Sequence, residues 1–502
     1  MKNKRNVLCG LPAIKAFTPI FLLLFFCIQT SNLLAQNNKT YSKEVQAKIK
    51  KFENNLGLWV QIGNKQFTLA DRMKSNHING VSVALIKDYK IEWAKGYGWA
   101  DSAQQRPVTI NTLFQAGSIS KSLNGVGILK LVQQGKLNLD ADINLYLKSW
   151  KFPYDSLSKG KKITIANLLS HTAGLTVHGF DGYERGDTIP TMVQILNGER
   201  PANSKAVRSM YEPSFRHQYS GGGTTISQLI LQDVTGQPYD TYMRNNVLNP
   251  MGMSKSFYTQ PPPAAKENLL ATGYNNDGKA VKGKYHIYPE QAAAGLWTNP
   301  TDLAKYIIET QLSLQGKSNK VLSPETTRLR LTPYIDKSAA LGVFIIEKGN
   351  EKYFNHDGSD EGFVAAYFGS MENGNGAVVM ANTDNWSLLS EVINSLAAVY
   401  DWKDFYTPKI KNVVNVNNEI LKSYVGNYKL YRNTFSVIME KEGLVLRMDS
   451  KTKYKLYFTS DTDFFMLEMA GSEVKFTKDK NNKIIGFDID DKGNKMQAVR
   501  IE

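Results

Sequence analysis

The sequence predicts an α+β domain followed by a smaller all-β domain. Three observations predict it. Strand-like runs open and close a long segment whose middle is helical, so its sheet is completed from both ends. Beyond about residue 406 the helical periodicity stops, and short alternating runs follow one another between turns. At 502 residues the chain is also too long for one ordinary domain.

The first 35 residues differ from the rest. Lys2, Lys4, Arg5 and Lys15 precede an apolar run over residues 19–28, and small and polar residues lead to Leu34-Ala35-Gln36. A basic start, a short apolar core and a small residue before the cut predict a signal peptide over residues 1–35. The protein is then expected to be exported, periplasmic or secreted, with no stable transmembrane span after cleavage. Both cysteines, Cys9 and Cys27, lie in this leader, so the mature chain has no disulfide, thiolate nucleophile or cysteine-ligated metal. Loss of its four cations takes the formal net charge from +15 to +11. That surplus favours association with anionic cell-envelope material. No zinc-finger spacing, helix-turn-helix signal or aromatic-interleaved basic patch points to nucleic acid.

From residue 36 a polar lead-in runs into a helix ending near Met73. Residues 81–86 and 90–96 read as two strands joined by Lys87-Asp88-Tyr89. Leu123, Val126, Ile128, Leu129 and Val132 then follow at roughly helical spacing until Gly135. From 176 to about 290 the pattern is helices and long loops, with one helix over 224–235 after Gly221-Gly222-Gly223. Asn299 caps a helix that carries Pro300 in its first turn. Three strands over 341–347, 363–369 and 376–382 and a closing helix over 387–402 complete the main domain, expected over 36–405. A joint over 406–417 leads to a C-terminal β domain over 418–502, a small barrel or sandwich with runs at 435–439, 444–448 and 453–458.

The chemistry-bearing stretch is Phe114-Gln115-Ala116-Gly117-Ser118-Ile119-Ser120-Lys121. On a helix, positions i and i+3 share a face with β-carbons about 5–6 Å apart, so Lys121 reaches Ser118. A serine hydroxyl is a poor nucleophile until a base takes its proton, and a lysine serves if its pKa is pushed down. The same two-position pattern occurs at Ser156, Ser158, Ser450 and Ser472, so alone it equals a capping serine beside a solvated lysine. Two downstream stretches add what the chemistry lacks, a second proton handler and a group for the substrate. Tyr219 stands before the glycine-rich turn that begins at Gly221, and His356-Asp357-Gly358-Ser359 precedes the 363–369 strand. In both, glycine (Gly221, Gly358) lets backbone approach a ligand closely.

His171, at a helix-to-turn junction, reads as a hydrogen-bonded structural histidine. His77, His178, His217 and His286 show no metal-ligand spacing, so no metal is expected. There is no phosphate-binding loop or dinucleotide fingerprint, so no cofactor is expected, and no Gly-x-Ser-x-Gly elbow.

These three motifs, in this order, resemble the serine β-lactamase and penicillin-binding-protein-like hydrolases, and most closely their class C β-lactamase, D-peptidase and esterase branch. The resemblance covers roughly residues 60–400. It includes Thr112-Leu113-Phe114, Leu168-Leu169-Ser170-His171-Thr172-Ala173-Gly174-Leu175 and Gly295-Leu296-Trp297-Thr298. It implies a β-lactamase/transpeptidase-like domain, an antiparallel sheet flanked by helices with a helical lobe. It also implies that Ser118 is acylated, that Lys121 and Tyr219 share proton transfer, and that His356 binds a substrate carboxylate or assists proton movement. The backbone N–H groups of Ser118 and Ser359 would form the oxyanion hole, and the substrate would be a small molecule or peptide-like.

Two departures bear on the substrate. The family's Tyr-x-Asn reads Tyr219-Ser220-Gly221, which loses an amide that holds an acylamino side chain. Its Lys-Thr-Gly reads His356-Asp357-Gly358, and histidine is a weaker, pH-dependent anion binder. Both turn the expectation from a β-lactamase or D-Ala-D-Ala carboxypeptidase toward an esterase or D-amino-acyl peptidase. Thr383-Asp384-Asn385, similar to another family's Ser-Asp-Asn, reads as a loop. The rival from a different class is a catalytically silent envelope-binding protein that works through its C-terminal domain.

Overall fold

Two runs nearly 300 residues apart in sequence lie side by side in one sheet: Gly80–Lys87 pairs antiparallel with Gly376–Ala381. The computed structural model describes residues 41–448, 453–469, 472–491 and 493–501, so the leader expected over 1–35 lies outside the described residues. Lys90–Asp101 returns against Gly80–Lys87 through a two-residue turn. Asp88 and Tyr89 both take positive φ there, the geometry whose twist matches antiparallel strands. On the far side follow Phe363–Ser370, Glu351–Asp360 and Phe344–Lys348, and Arg106–Pro107 makes the other edge of seven strands. The sheet is completed from both ends of the segment, as the sequence predicts.

The helices cover both faces. Pro300–Leu314, capped by the Asn299 side chain and with Pro300 in its first turn, lays Ile307 over Gly369 and Gly376. Ser387–Val399 brings Leu389 and Ile393 against Ala366 and Phe368 on the other face. The N-terminal part is tied to this closing helix by a buried, two-pronged ion pair, Arg72 to Glu391, at 2.6 and 2.8 Å. Among the described residues no helix is long and apolar enough to cross a membrane.

The helix that follows Ser118, Ser120–Gln133, is buried on nearly every side. Its polar side chains are paired. Asn124 donates to Ser227 and accepts from Tyr239, Ser122 accepts from Tyr367, and Ser120 accepts the Leu296 N–H. Pairing of this kind is what lets a polar helix lie inside a core.

Nine antiparallel strands form the C-terminal part, opened by the Asn418–Tyr424 helix. The two ends of this sheet are Lys453–Lys455 and Tyr457–Phe458, separated only by Leu456, so the sheet curls into a nearly closed barrel. Its core is aromatic, with Tyr424 stacked on Phe476 at 3.9 Å between ring centroids.

The structure departs from the sequence reading at three places. The lead-in holds two helices, Lys43–Asn54 and Leu69–Ser75, with the strand Val60–Ile62 between them. The joint contains a strand, Lys409–Lys411, which pairs in parallel with Val60–Ile62. Finally, four strands rather than three follow residue 340. His356-Asp357-Gly358-Ser359 lies inside one of them, Glu351–Asp360, instead of in a loop before the next.

Candidate active site

Ser118 sits in a 3₁₀ turn, Gly117–Ile119, that leads directly into the buried helix. The i, i+3 relation holds, with Lys121 Nζ 3.0 Å from Ser118 Oγ. The ammonium also donates to the Ala293 carbonyl at 2.8 Å and lies 5.0 Å from the centroid of the Tyr219 ring. Lys121 is buried, so its charge is compensated by these neighbours rather than by water.

Tyr219 precedes the Gly221–Thr235 helix, whose cap is the Ser220 side chain on the Gly223 N–H. His171 lies beneath the tyrosine, ring centroids 4.3 Å apart, and its Nδ1 accepts the Ser220 N–H at 3.2 Å. Burial and the nearby Lys121 cation hold His171 well below its ordinary range, so it is a neutral packing partner. Phe344, which no motif marks, packs near Tyr219 and His356, with centroids 6.5 and 5.2 Å away.

His356 is buried on the face of its strand that also carries Gly358. Asp357 points the opposite way, into an apolar groove lined by Trp59, Trp386 and Phe405. Burial first, and the Lys121 cation second, push the imidazole down to about 3. A carboxylate-binding cation, one of the two roles carried over by resemblance, is therefore not what this position supplies. The Nδ1–H donates to the Asp357 carbonyl at 2.6 Å, which leaves Nε2 a buried acceptor without a partner.

The oxyanion hole expected from Ser118 and Ser359 is a contact between two backbones. A β-carbon on Gly117 would lie 2.4 Å from the Ser359 nitrogen. One on Gly358 would lie 1.9 Å from the Ala116 oxygen and 3.0 Å from the Ser118 nitrogen. Only glycine on both sides allows that approach. Gly358 thus serves contact within the chain. Gly221 does the same, since its N–H goes to the His178 carbonyl and the Phe180 ring lies 3.0 Å from where its β-carbon would be.

The structure therefore brings Ser118, Lys121, Tyr219, His356 and Ser359 to one place, from four separate stretches of chain. Residues 68–399 match the Beta-lactamase family. The chain belongs to the β-lactamase family. Protein flp of Staphylococcus aureus strain MRSA252 is 24% identical over 377 residues, 73% of this chain and 68% of that one. Among solved structures, the octameric penicillin-binding protein homologue from Pyrococcus abyssi superimposes with a TM-score of 0.59 at 21% identity, over 86% of this chain and 98% of its own. D-amino acid amidase from Ochrobactrum anthropi SV3 does so at 0.53 and 20%, over 72% and 98%. At these identities the structural likeness is one of fold.

Sequence reasoning missed the Ala293 carbonyl, Phe344 and two buried acids, Glu290 and Asp360. Glu290 has neither carboxyl oxygen hydrogen-bonded, and Asp360 leaves Oδ2 without a partner. Among the described residues no group of three or more His, Cys, Asp or Glu side chains is placed to hold a metal ion.

Proposed function

We propose that this β-lactamase-family protein is an exported serine hydrolase that opens an ester, amide or lactam bond through an acyl-enzyme on Ser118, of the esterase or D-amino-acyl peptidase kind. The observation that carries the reading is the 3.0 Å contact between Lys121 Nζ and Ser118 Oγ, with the Tyr219 ring beside the same ammonium. A charged Lys121 is a donor in its contacts, so it stabilises negative charge on its neighbours and leaves Tyr219 to receive the Ser118 proton. Ser118 Oγ attacks the carbonyl carbon, and the oxyanion forms against the Ser118 and Ser359 N–H groups. The proton passes to the leaving group as its bond to carbon breaks. Water then attacks the Ser118 ester, loses a proton to the same tyrosine, and frees the acid and the serine.

Two features support an esterase or D-amino-acyl peptidase over a β-lactamase. The neutral His356 offers no charge to a substrate carboxylate, and Phe180 fills the space beside Gly221. The shared fold with D-amino acid amidase is consistent with that class.

The test is active-site labelling of the mature protein and of Ser118→Ala, with a fluorophosphonate and a fluorescent penicillin offered separately. A phosphonate adduct on Ser118, absent from the variant, is the expected result. A penicillin adduct on Ser118, stable or turned over, would move the reading to a D-peptidase or β-lactamase. No adduct from either probe on folded protein would replace it with a catalytically silent binding protein.

A further inference from the structure

Asp360 is the residue after Ser359, at the end of the strand that presses on the Ser118 turn. Its carboxyl group is buried, 5% exposed, and accepts a hydrogen bond from the Gly117 N–H, the residue before Ser118. One side chain therefore links the neighbours of the two N–H groups that face the oxyanion. We propose that Asp360 is a positioning residue for the oxyanion hole: its contact with Gly117 fixes the Ser118 N–H relative to the Ser359 N–H. The inference rests on the hydrolase reading above and adds to it a residue that no motif contains.

The geometry explains why a side chain is needed there. Gly117 takes φ of +49°, and glycine at this position leaves the turn free to adopt other conformations. The close approach of Gly117 and Gly358 removes every side chain that could wedge the two backbones in register. What remains to hold them is hydrogen bonding, and Asp360 supplies one such bond at the correct place.

A carboxylate one residue from an oxyanion hole would oppose the charge it must stabilise, so the brace works only as an uncharged acid. The surroundings keep it so. Four charged or titratable groups face it: Lys121 from the buried helix, Glu290 from the start of the Gln291–Ala294 helix, and Tyr288 and Glu361 from adjoining loops. Burial pushes Asp360 well above the usual carboxylate range, with Glu290 adding to the rise and Lys121 and the Gly117 N–H opposing it. Glu290, itself fully buried, is pushed up to about 8 by the same desolvation.

The test uses the full mature chain with Asp360→Ala and Asp360→Asn. Asparagine keeps an acceptor oxygen for Gly117 and carries no charge. The rate of Ser118 phosphonylation is expected to fall about 10- to 100-fold in the alanine variant, as for a displaced catalytic group. The asparagine variant should recover to within about 3-fold of the parent, because it restores the same neutral hydrogen bond. Asparagine as slow as alanine would show that the negative charge, paired with Lys121, is what matters, and would overturn the proposal. So would an alanine variant as fast as the parent.

A second readout does not depend on catalysis. Deuterium exchange of the peptide spanning 114–121 should speed up in the alanine variant and not in the asparagine variant. Unchanged exchange in both would refute the brace even if Ser118 never reacted. Faster exchange in a protein that no probe labels would instead refute the hydrolase reading alone.

Discussion

Glu290 is fully buried and hydrogen-bonded by neither oxygen, an arrangement only a protonated acid tolerates. Its pKa rises on folding from the ordinary glutamate value to about 8. A raised acid binds its proton more tightly in the folded state. The stability this confers is complete below the unfolded pKa and is lost as pH climbs toward 8, at about 1.4 kcal/mol per pH unit. Glu290→Gln removes the titration while keeping the size. Urea unfolding of parent and variant between pH 5 and pH 8 should show the parent losing a few kcal/mol more. Parallel curves would mean that Glu290 ionises in the folded protein near its ordinary range, with a compensating cation.

The strand Glu351–Asp360 and the Gly117–Ile119 turn make the site together, and their contact admits no extra atom. Gly358→Ala would set a methyl group 1.9 Å from the Ala116 carbonyl, a backbone atom that cannot swing away. Labelling of Ser118 should fall at least about 100-fold, with an overpacking cost of about 1–3 kcal/mol. Gly223→Ala is the control. Its β-carbon would meet its nearest neighbour at an ordinary 3.4 Å, inside a helix where alanine is preferred, so melting temperature and labelling should hold or improve. If both variants label normally, the two backbones can separate without harm to the site.

This strand also shows what the sequence left hidden. Asn355-His356-Asp357-Gly358-Ser359-Asp360 has no β-branched or aromatic residue, and its strand conformation comes from pairing on both sides. The Gly80–Lys87 hairpin and the Asn299-Pro300 helix start were legible because their signals are local. Ser118 and Lys121 were legible for the same reason, through helical spacing. The Ala293 carbonyl, Phe344, Glu290 and Asp360 reach the site only by long-range packing. A backbone carbonyl leaves no mark in a sequence at all.

At the scale of the molecule, the main domain and the barrel have separate apolar cores. Ile119, Leu123, Trp297 and Phe354 belong to one, and Tyr424, Phe464, Phe476 and Phe487 to the other. Slender contacts run between them: the parallel pair Val60–Ile62 with Lys409–Lys411, the Val414 N–H on the Phe458 carbonyl, and Lys411 with Glu473 at 3.8 Å. Cooperativity follows shared core rather than chain connection, so each part should unfold as its own unit. Calorimetry of the full chain is expected to resolve two transitions. Phe476 is the discriminating position, because it stacks on Tyr424 and lies 4.8 Å from Phe464 at the centre of the barrel. Phe476→Leu should cost about 1–2 kcal/mol and lower the barrel transition by about 4–8 °C per kcal/mol. The other transition and the rate of Ser118 labelling should stay where they were. If the two transitions fell together, the short parallel pair and its few neighbours would be coupling the barrel to the catalytic core far more strongly than their buried area allows. The barrel would then have to be treated as part of the machinery that holds Ser118 in place.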